Sequence, residues 1–312
     1  MTLSVSDLTV SFDGRPVLSD ISFLVKGGEV FGFFGPSGSG KSVLLRAVSG
    51  ELKPDRGEIT AMSREFPVEP SGGGFFGWLK HSRTPADATG KIRFEAVRDA
   101  AEKASSLLLL DDPFCAMDRD QRALSIETLR RNARERGITV IIASSDFSEM
   151  LAACDQIALL DAGRIVQTGD PRIVYDQPGT AAAASLTGPN NIFQARRLSS
   201  SKSELPEFQT IEGEHRIFAR RPDGRNLGPL NQNVTLSIRP EQISISFGAS
   251  FPEDNLLKAD VTAITFQGPT TLLSLNAGGL TLDALVPRVV GLEIGSECML
   301  GLPPDRIQVF PN

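Results

Sequence analysis

The sequence has few residues of the kinds that build metal centres and disulfide frameworks. It contains three cysteines, Cys115, Cys154 and Cys298, and two histidines, His81 and His215. Because the cysteines are odd in number and widely separated, they suit reduced thiols better than a disulfide scaffold. Without a cluster of cysteine and histidine, a zinc site is not expected.

A long apolar run and a surplus of positive charge are also missing. No apolar stretch approaches the roughly 20 residues that a membrane helix needs. Met1–Asp7 lacks the basic and apolar segments of a signal peptide. The net charge of −6 argues against a nucleic-acid partner. We therefore expect a cytoplasmic protein that reaches a membrane only through a partner.

One segment carries specific chemistry: residues 35–42 read Gly-Pro-Ser-Gly-Ser-Gly-Lys-Ser. They follow the apolar run Val30–Phe34 and precede the helical pattern Val43–Val48, which is the strand–loop–helix order of a phosphate-binding loop. Glycines let backbone N–H groups approach phosphate oxygens, the lysine reaches the β- and γ-phosphates, and the last serine ligates Mg²⁺. The alternative is a glycine-rich turn with a chance Lys-Ser pair.

We predict that this loop binds ATP with Mg²⁺, and that Ser42 is one ligand of the metal ion. The residues predicted to bind the nucleotide here are Gly35, Ser37, Gly38, Ser39, Gly40, Lys41, Ser42 and Val43.

The pattern of the chain changes at about residue 190, and its 312 residues are enough for two domains. Before this point, apolar runs alternate with helical segments, as in an α/β domain. The predicted helices are Arg93–Lys103 and Arg119–Arg136, the second with Ala123, Ile126, Leu129 and Ala133 on its buried face. The predicted strands are Leu3–Phe12, Val17–Val25, Val30–Phe34, Glu58–Met62, Leu107–Leu110, Thr139–Ala143, Gln156–Leu160 and Arg164–Thr168.

After this point, short strand patterns separated by Gly, Pro and Asn indicate a small β-barrel domain. A polar segment, Arg196–Glu207, is expected to be a loop. The predicted strands are Val234–Ile238, Ile243–Phe247, Leu256–Phe266, Thr270–Leu275, Leu280–Leu285 and Ile307–Phe310. We place the two domains at residues 1–189 and 190–312.

The buried run Leu107–Leu110 ends in two carboxylates, Asp111 and Asp112. In phosphate-loop NTPases the first such aspartate holds the Mg²⁺ ion, so Asp111 is the second predicted metal-side residue. Without the phosphate loop, an ordinary turn would explain the same pattern equally well.

Residues 111–118 read Asp-Asp-Pro-Phe-Cys-Ala-Met-Asp, which resembles the Walker B and D-loop run of ABC-transporter ATPase subunits. Asp7–Leu18 resembles the opening strand of that family, and the resemblance implies that Phe12 stacks on adenine. Val140–Ala153 resembles the switch region, and Gly163–Tyr175 resembles the stretch that follows it. Val234–Ile245 resembles the OB-like (TOBE) domain of importer ATPases that serve sugars, polyamines, ferric iron or molybdate.

The resemblance implies an α/β phosphate-loop NTPase domain followed by a small all-β OB-like domain. It also implies an ATPase that drives a membrane importer. Its expected partners are permease subunits, which hold it at the inner face of the cell membrane, and a second nucleotide-binding domain in a homodimer or heterodimer. The transported solute is not encoded in this sequence.

One region departs from the family pattern. From Gly35 to Asp111 the family implies a span longer by about forty to fifty residues, so the helical subdomain, at about residues 63–104, is expected to be shortened. No glutamine lies between Ser42 and Gln121, so the glutamine loop has no counterpart. Ser71–Gly74 resembles part of the signature motif, but we expect Glu69–Gly77 to be a flexible loop.

Two single residues also depart from the resemblance. Asp112 stands where the family has the catalytic glutamate, and Ser145 stands where it has the switch histidine. Because misplacing a catalytic group by about 1 Å can cost on the order of 100-fold in rate, we expect slow hydrolysis. Two interpretations stay open: an importer ATPase, and a weakened regulatory or assembly subunit paired with a competent homologue. The run Asp111–Asp118 disfavours a small-molecule phosphotransferase.

Overall fold

The computed structural model describes residues 2–62, 67–68, 76–79, 90–198, 205–220, 227–246, 255–287 and 291–311. The chain divides into two compact units, Met1–Pro178 and Gly179–Asn312. The second unit therefore starts before the expected residue 190, because the short helix Ala181–Leu186 packs on a strand of that unit. None of the helices among these residues is long and apolar enough to cross a bilayer.

The first unit contains a six-stranded sheet and a four-stranded sheet, in the orders β10-β9-β3-β8-β7-β6 and β2-β1-β4-β5. Its strands are β1 (Thr2–Phe12), β2 (Arg15–Val25), β3 (Val30–Phe34), β4 (Arg56–Met62), β5 (Pro67–Val68), β6 (Phe76–Leu79), β7 (Leu107–Asp111), β8 (Thr139–Ser144), β9 (Gln156–Asp161) and β10 (Arg164–Gly169). Its helices are α1 (Lys41–Val48), α2 (Gly90–Lys103), α3 (Arg119–Arg136), α4 (Phe147–Ala153) and α5 (Pro171–Asp176).

The larger sheet is parallel from β6 to β9, and only its edge strand β10 runs antiparallel. Every residue of β3 and β8 is buried, as expected for strands of a parallel sheet that is covered on both faces. Phe23 of the smaller sheet packs against Phe31 and Phe33 of β3, with ring centroids 5.8 and 4.8 Å apart. The two sheets therefore share one apolar core with α1.

Helix α3 begins and ends at the predicted residues because both signals are local. Asp118 and Gln121 form a capping box at its start, and Gly137 ends it with φ of 68°. The predicted buried face is wrong in part, since Ala123 is exposed. The helix instead buries Ser125, Thr128, Leu129 and Ala133. Small polar residues can fill such a face when their hydroxyls find partners, and Ser125 Oγ donates to Met117 Sδ.

The segment expected to be a glycine-rich loop contains a strand. β6 (Phe76–Leu79) pairs in parallel with β7 at the edge of the larger sheet, in the register Phe76 to Leu107. The prediction of a loop is therefore wrong for Phe76 and Gly77, and residues 69–75, including Ser71–Gly74, lie outside the described residues. Residues 80–89 connect β6 to α2 and also lie outside them.

The second unit consists of helix α6 (Ala181–Leu186), one 3-10 turn (Pro240–Gln242) and two five-stranded antiparallel sheets, β13-β12-β11-β14-β20 and β15-β19-β16-β17-β18. Its strands are β11 (Asn191–Arg197), β12 (Glu207–Thr210), β13 (Arg216–Phe218), β14 (Asn233–Ile238), β15 (Ser244–Ser246), β16 (Asn255–Phe266), β17 (Thr270–Ala277), β18 (Leu280–Pro287), β19 (Glu297–Leu302) and β20 (Gln308–Pro311). The inward side chains of both sheets form one continuous core. The predicted loop Arg196–Glu207 is shorter than expected, since β11 extends to Arg197 and β12 starts at Glu207.

Candidate nucleotide-binding site

The predicted site residues follow the carboxyl ends of neighbouring parallel strands. Phe34, the last residue of β3, pairs with Ser144 at the end of β8, and Asp111 at the end of β7 pairs with Ala143. In open α/β sheets, ligands bind in the crevice at this edge. The fold therefore brings together the phosphate loop after β3, Asp111 at the end of β7 with Asp112 directly after it, and Ser145 after β8.

The loop backbone is packed tightly on one side and open on the other. A Cβ atom at Gly35 would lie 2.1 Å from the carbonyl oxygen of Leu160, so only glycine fits there. Gly40 has φ of 104°, and a Cβ there would lie 2.7 Å from Leu18 Cδ2. At Gly38, with φ of 82°, an added Cβ would meet no atom within 4 Å. The loop is thus a cradle whose free side faces open space.

The turn between β9 and β10 is hydrogen-bonded to the phosphate loop. The N–H of Gly163 donates to the carbonyl of Ser39 at 3.1 Å, and the N–H of Ser19 donates to the carbonyl of Gly163 at 2.9 Å. A Cβ at Gly163 would lie 2.1 Å from the carbonyl oxygen of Val17. Two segments distant from the loop in sequence, the β9–β10 turn and β2, therefore fix its position.

Lys41 is buried, and its ammonium group folds back on the loop. Its Nζ donates to the carbonyls of Gly35 at 2.7 Å and Pro36 at 3.0 Å. Burial lowers the pKa of Lys41, while the nearby charges of Asp112 and Asp111 oppose this effect. The lysine and the two carboxylates therefore lie close enough to interact electrostatically, which is the charge distribution that a bound Mg-nucleotide requires.

The donors of the loop fit a phosphate group. The hydroxyl of Ser39 is buried and has no hydrogen-bond partner in the described part of the chain. Buried polar groups are almost always paired, so this unpaired hydroxyl points to a ligand. Ser37 and Ser42 are exposed at the loop, and Val43 is half-buried against the core. These residues fit a polyphosphate with a divalent cation at Ser42.

Phe12 lies at the tip of the β1–β2 hairpin and is 42% exposed. The hairpin approaches the phosphate loop through its second strand, because Leu18 of β2 lies beside Gly40. An exposed ring at this place is available to stack on a base. The role of Phe12 stays a prediction.

Asp112 and Ser145 are in direct contact. The N–H of Ser145 donates to Asp112 Oδ1 at 3.3 Å, and the N–H of Asp112 donates to the carbonyl of Ala143 at 2.8 Å. Asp112 has φ of 43°, in the left-handed region that aspartate tolerates better than most residues. The two predicted catalytic residues are therefore hydrogen-bonded to each other at the sheet edge, and their roles stay predictions.

A third residue contacts the turn that carries Ser145 and was not predicted from the sequence. Glu149, on the first turn of α4, is buried and accepts a hydrogen bond from Ser144 Oγ at 2.7 Å. Helix α4 itself was missed, although Asp146 and Glu149 have the spacing of a helix start, with the cap residue followed three positions later by a glutamate. Asp146 does cap the helix, through the N–H groups of Ser148 and Glu149.

Two family models match the chain. The model described as ABC transporter matches residues 18–84, and the model described as TOBE domain matches residues 236–310. These matches lie in the first and second unit, respectively, and they confirm the predicted fold class of an α/β ATP-binding domain followed by an all-β domain.

Curated relatives are similar over most of their length. A molybdate/tungstate import ATP-binding protein of Pyrococcus horikoshii is 28% identical, over 94% of this chain and 96% of its own. A spermidine/putrescine import ATP-binding protein of Marinobacter nauticus is 29% identical, over 95% of this chain and 86% of its own. A ferric-ion import ATP-binding protein of Rhodococcus jostii is 25% identical, over 98% of this chain and 96% of its own.

In these alignments, many positions of the relatives have no counterpart in this chain. The alignment with the Pyrococcus horikoshii protein has 345 positions, but 94% of 312 residues is about 293, so about 50 positions have no counterpart in this chain. The alignment with the Rhodococcus jostii protein has 354 positions and includes 98% of this chain, so again about 50 positions have no counterpart here. These unmatched positions are not assigned to one segment of the chain, so the shortening of the helical subdomain stays a prediction.

Proposed function

We propose, from the premise that the chain belongs to the ABC-transporter ATP-binding proteins with a C-terminal TOBE domain, that it is the ATP-binding subunit of an importer. The observation that carries the proposal is the phosphate loop, with its open side at Gly38, its unpaired Ser39 hydroxyl and its buried Lys41. The relatives named above serve different solutes, so the family leaves the transported solute of this chain open.

In the proposed bound state, the N–H groups of Ser37–Ser42 donate to phosphate oxygens at the loop. Lys41 exchanges its contacts with the carbonyls of Gly35 and Pro36 for the β- and γ-phosphates. Ser42 and Asp111 would hold Mg²⁺, which would neutralise negative charge on the phosphates. Phe12 stacks on the adenine ring.

We further propose that hydrolysis is slow. The carboxylate of Asp112 is one methylene shorter than that of the glutamate expected there, and the side chain of Ser145 is much shorter than an imidazole. The gap of about 50 positions against the relatives is proposed to fall in the helical subdomain, since only residues 80–89 connect β6 to α2. In the family, this subdomain carries the glutamine loop and the signature motif. The alternative is a regulatory or assembly subunit that pairs with a competent homologue.

The proposed partners follow from the importer function. Permease subunits would hold the chain at the cytoplasmic face of the membrane, and a second nucleotide-binding domain would complete the site in a homodimer or heterodimer. A nucleic-acid partner is not proposed, because the net charge of −6 opposes binding to phosphate backbones.

Thermal unfolding with and without Mg-ATP tests the proposal. A ligand at 100 times its Kd stabilises the folded state by about 2.7 kcal/mol, so the melting temperature should rise by several degrees. Lys41→Ala should remove most of the shift, whereas Lys53→Ala, which changes an exposed lysine outside the loop, should keep it. No shift at millimolar nucleotide, or an equal shift in Lys41→Ala, would contradict nucleotide binding at this loop.

A further inference from the structure

The carboxylate of Glu149 is buried at the edge of the nucleotide site, although neither the proposed phosphate contacts nor the cap of α4 requires it. The residue is 5% exposed, and burial raises the pKa of its carboxyl. Charge on a buried carboxylate costs free energy unless partners compensate it. Two partners do: Ser144 Oγ donates to Oε2 at 2.7 Å, and Arg122 Nε lies 3.5 Å from Oε1.

The contacts of Glu149 fix the turn that carries Ser145. Ser144 Oγ, which donates to Glu149, also accepts the N–H of Asp146 at 3.0 Å. The residue between these two is Ser145, whose N–H donates to Asp112 Oδ1. Removing the Glu149 carboxylate would free the Ser144 hydroxyl to rotate, so the orientation of the Ser145 N–H depends on Glu149.

The other partner of Glu149 connects this turn to a second segment of the site. Arg122 lies on the first turn of α3, four residues after Asp118, which caps that helix. Asp118 ends the run that begins with Asp111 and Asp112. The Arg122–Glu149 pair therefore joins the segment after β7 to the segment after β8. The negative charges of Asp112 and Asp146 also act on Glu149, which places all four charged groups in one cluster.

We infer that Glu149 is a positioning residue through which the site distinguishes ATP from ADP: it holds the Ser144–Asp146 turn against Asp112, on the side of the terminal phosphate. The inference rests on the proposed function, in which the loop Ser37–Ser42 binds the phosphates that both nucleotides share. It also rests on the family resemblance, which implies that the residue at the position of Ser145 lies beside the γ-phosphate. Disturbing Glu149 should therefore weaken the binding of ATP and leave the binding of ADP unchanged.

The test compares the affinities of the full-length chain for Mg-ADP and for Mg²⁺ with a non-hydrolysable ATP analogue, measured by calorimetry. Glu149→Gln keeps the size of the side chain, but it removes the charge that pairs with Arg122 and replaces the charged acceptor of the Ser144 hydroxyl with a weaker, neutral one. We expect it to bind the ATP analogue about tenfold more weakly, which corresponds to about 1.4 kcal/mol. Its affinity for ADP should stay within about twofold of the wild type.

Three further variants make the result specific. Arg122→Gln should reproduce the selective loss, and the double variant should lose no more than either single one, because both act through one pair. Glu127→Gln removes an exposed charge from the same helix and should leave both affinities unchanged. Lys41→Ala should weaken the binding of both nucleotides, because it changes only the phosphate loop.

Each other outcome overturns the inference. An equal loss for both nucleotides in Glu149→Gln would show a purely structural role, and unchanged affinities would show no role. Equal wild-type affinities for the two nucleotides would mean that the turn makes no contact with the terminal phosphate. If the wild type binds neither nucleotide, the proposed function fails as well, and the Lys41→Ala variant then shows no further loss.

Discussion

Asp112 and Ser145 are 33 residues apart in the sequence but in contact at the sheet edge. Neither residue type is unusual in itself, so only the resemblance to a family singled them out. Their contact leaves the side-chain hydroxyl of Ser145 exposed beside a carboxylate that is shorter than the expected glutamate. At this scale, the chemistry of the site depends on two side chains that are each too short for the roles implied by the family.

We predict that lengthening these side chains does not restore hydrolysis. Phosphate release by the wild type should be far below about 1 s⁻¹, the lower end of ordinary enzyme turnover. Asp112→Glu, Ser145→His and the double variant should stay within about tenfold of it, because none of them supplies the signature loop that the partner subunit donates in the family.

Steady-state phosphate release, with Lys41→Ala as the inactive control, measures this. Turnover near 1 s⁻¹ in the wild type, or its recovery in a single variant, would show that the site is complete.

Local sequence signals predicted the long helix α3 but not the short helices. Helix α3 was predicted with its observed bounds because a capping box and a terminal glycine are local features. Helices α4, α5 and α6, of seven, six and six residues, were missed. Such short segments bury few side chains and show little periodicity, so tertiary contacts decide whether they are helical.

Helix α6 has an identifiable tertiary contact. Arg239, 4% exposed, donates to Thr187 Oγ1 at 2.6 Å and to the carbonyls of Pro189, Gly188 and Ala184 at 3.3 to 3.5 Å. It therefore satisfies carbonyl groups at the carboxyl end of the helix, which have no partner within the helix itself.

We predict that Arg239→Met lowers the free energy of unfolding by about 3 kcal/mol, because buried carbonyls lose their donors. Hydrogen exchange should show faster exchange in Ala181–Leu186, and urea unfolding measures the loss of stability. Arg196→Met, at an exposed position of β11, is the control and should change stability by less than about 0.5 kcal/mol. Unchanged protection of α6 in Arg239→Met would contradict the role of this contact.

On the scale of the whole molecule, the chain divides at residue 178/179, before α6, whereas the sequence pattern placed the change at about residue 190. The pattern registers the switch from helices to strands, but the compact unit is defined by packing. Because α6 contacts β14 and Arg239, it belongs with the strands that follow it.

This division predicts different stabilities for two fragments. Residues 179–312 should fold cooperatively by themselves, whereas residues 190–312 lack the acceptors of Arg239 and should be less stable by about 2 kcal/mol or more. Urea unfolding of both fragments, followed by circular dichroism, measures the difference. Equal midpoints would mean that α6 contributes nothing to this unit, and failure of both fragments to fold would mean that it depends on the first unit.

The sequence by itself determined the phosphate loop, the strands around it and the two-part organisation. Those features are encoded in contiguous residues: glycines that a tight loop requires, apolar runs that a parallel sheet buries, and the change from alternating helices and strands to short strands alone. Only the tertiary structure decided that the β9–β10 turn holds the loop, that residues 76–79 form an edge strand, and that Glu149 joins Arg122 to Ser144. These contacts connect residues distant along the chain, and burial, which gives them their energetic weight, is a property of the folded molecule.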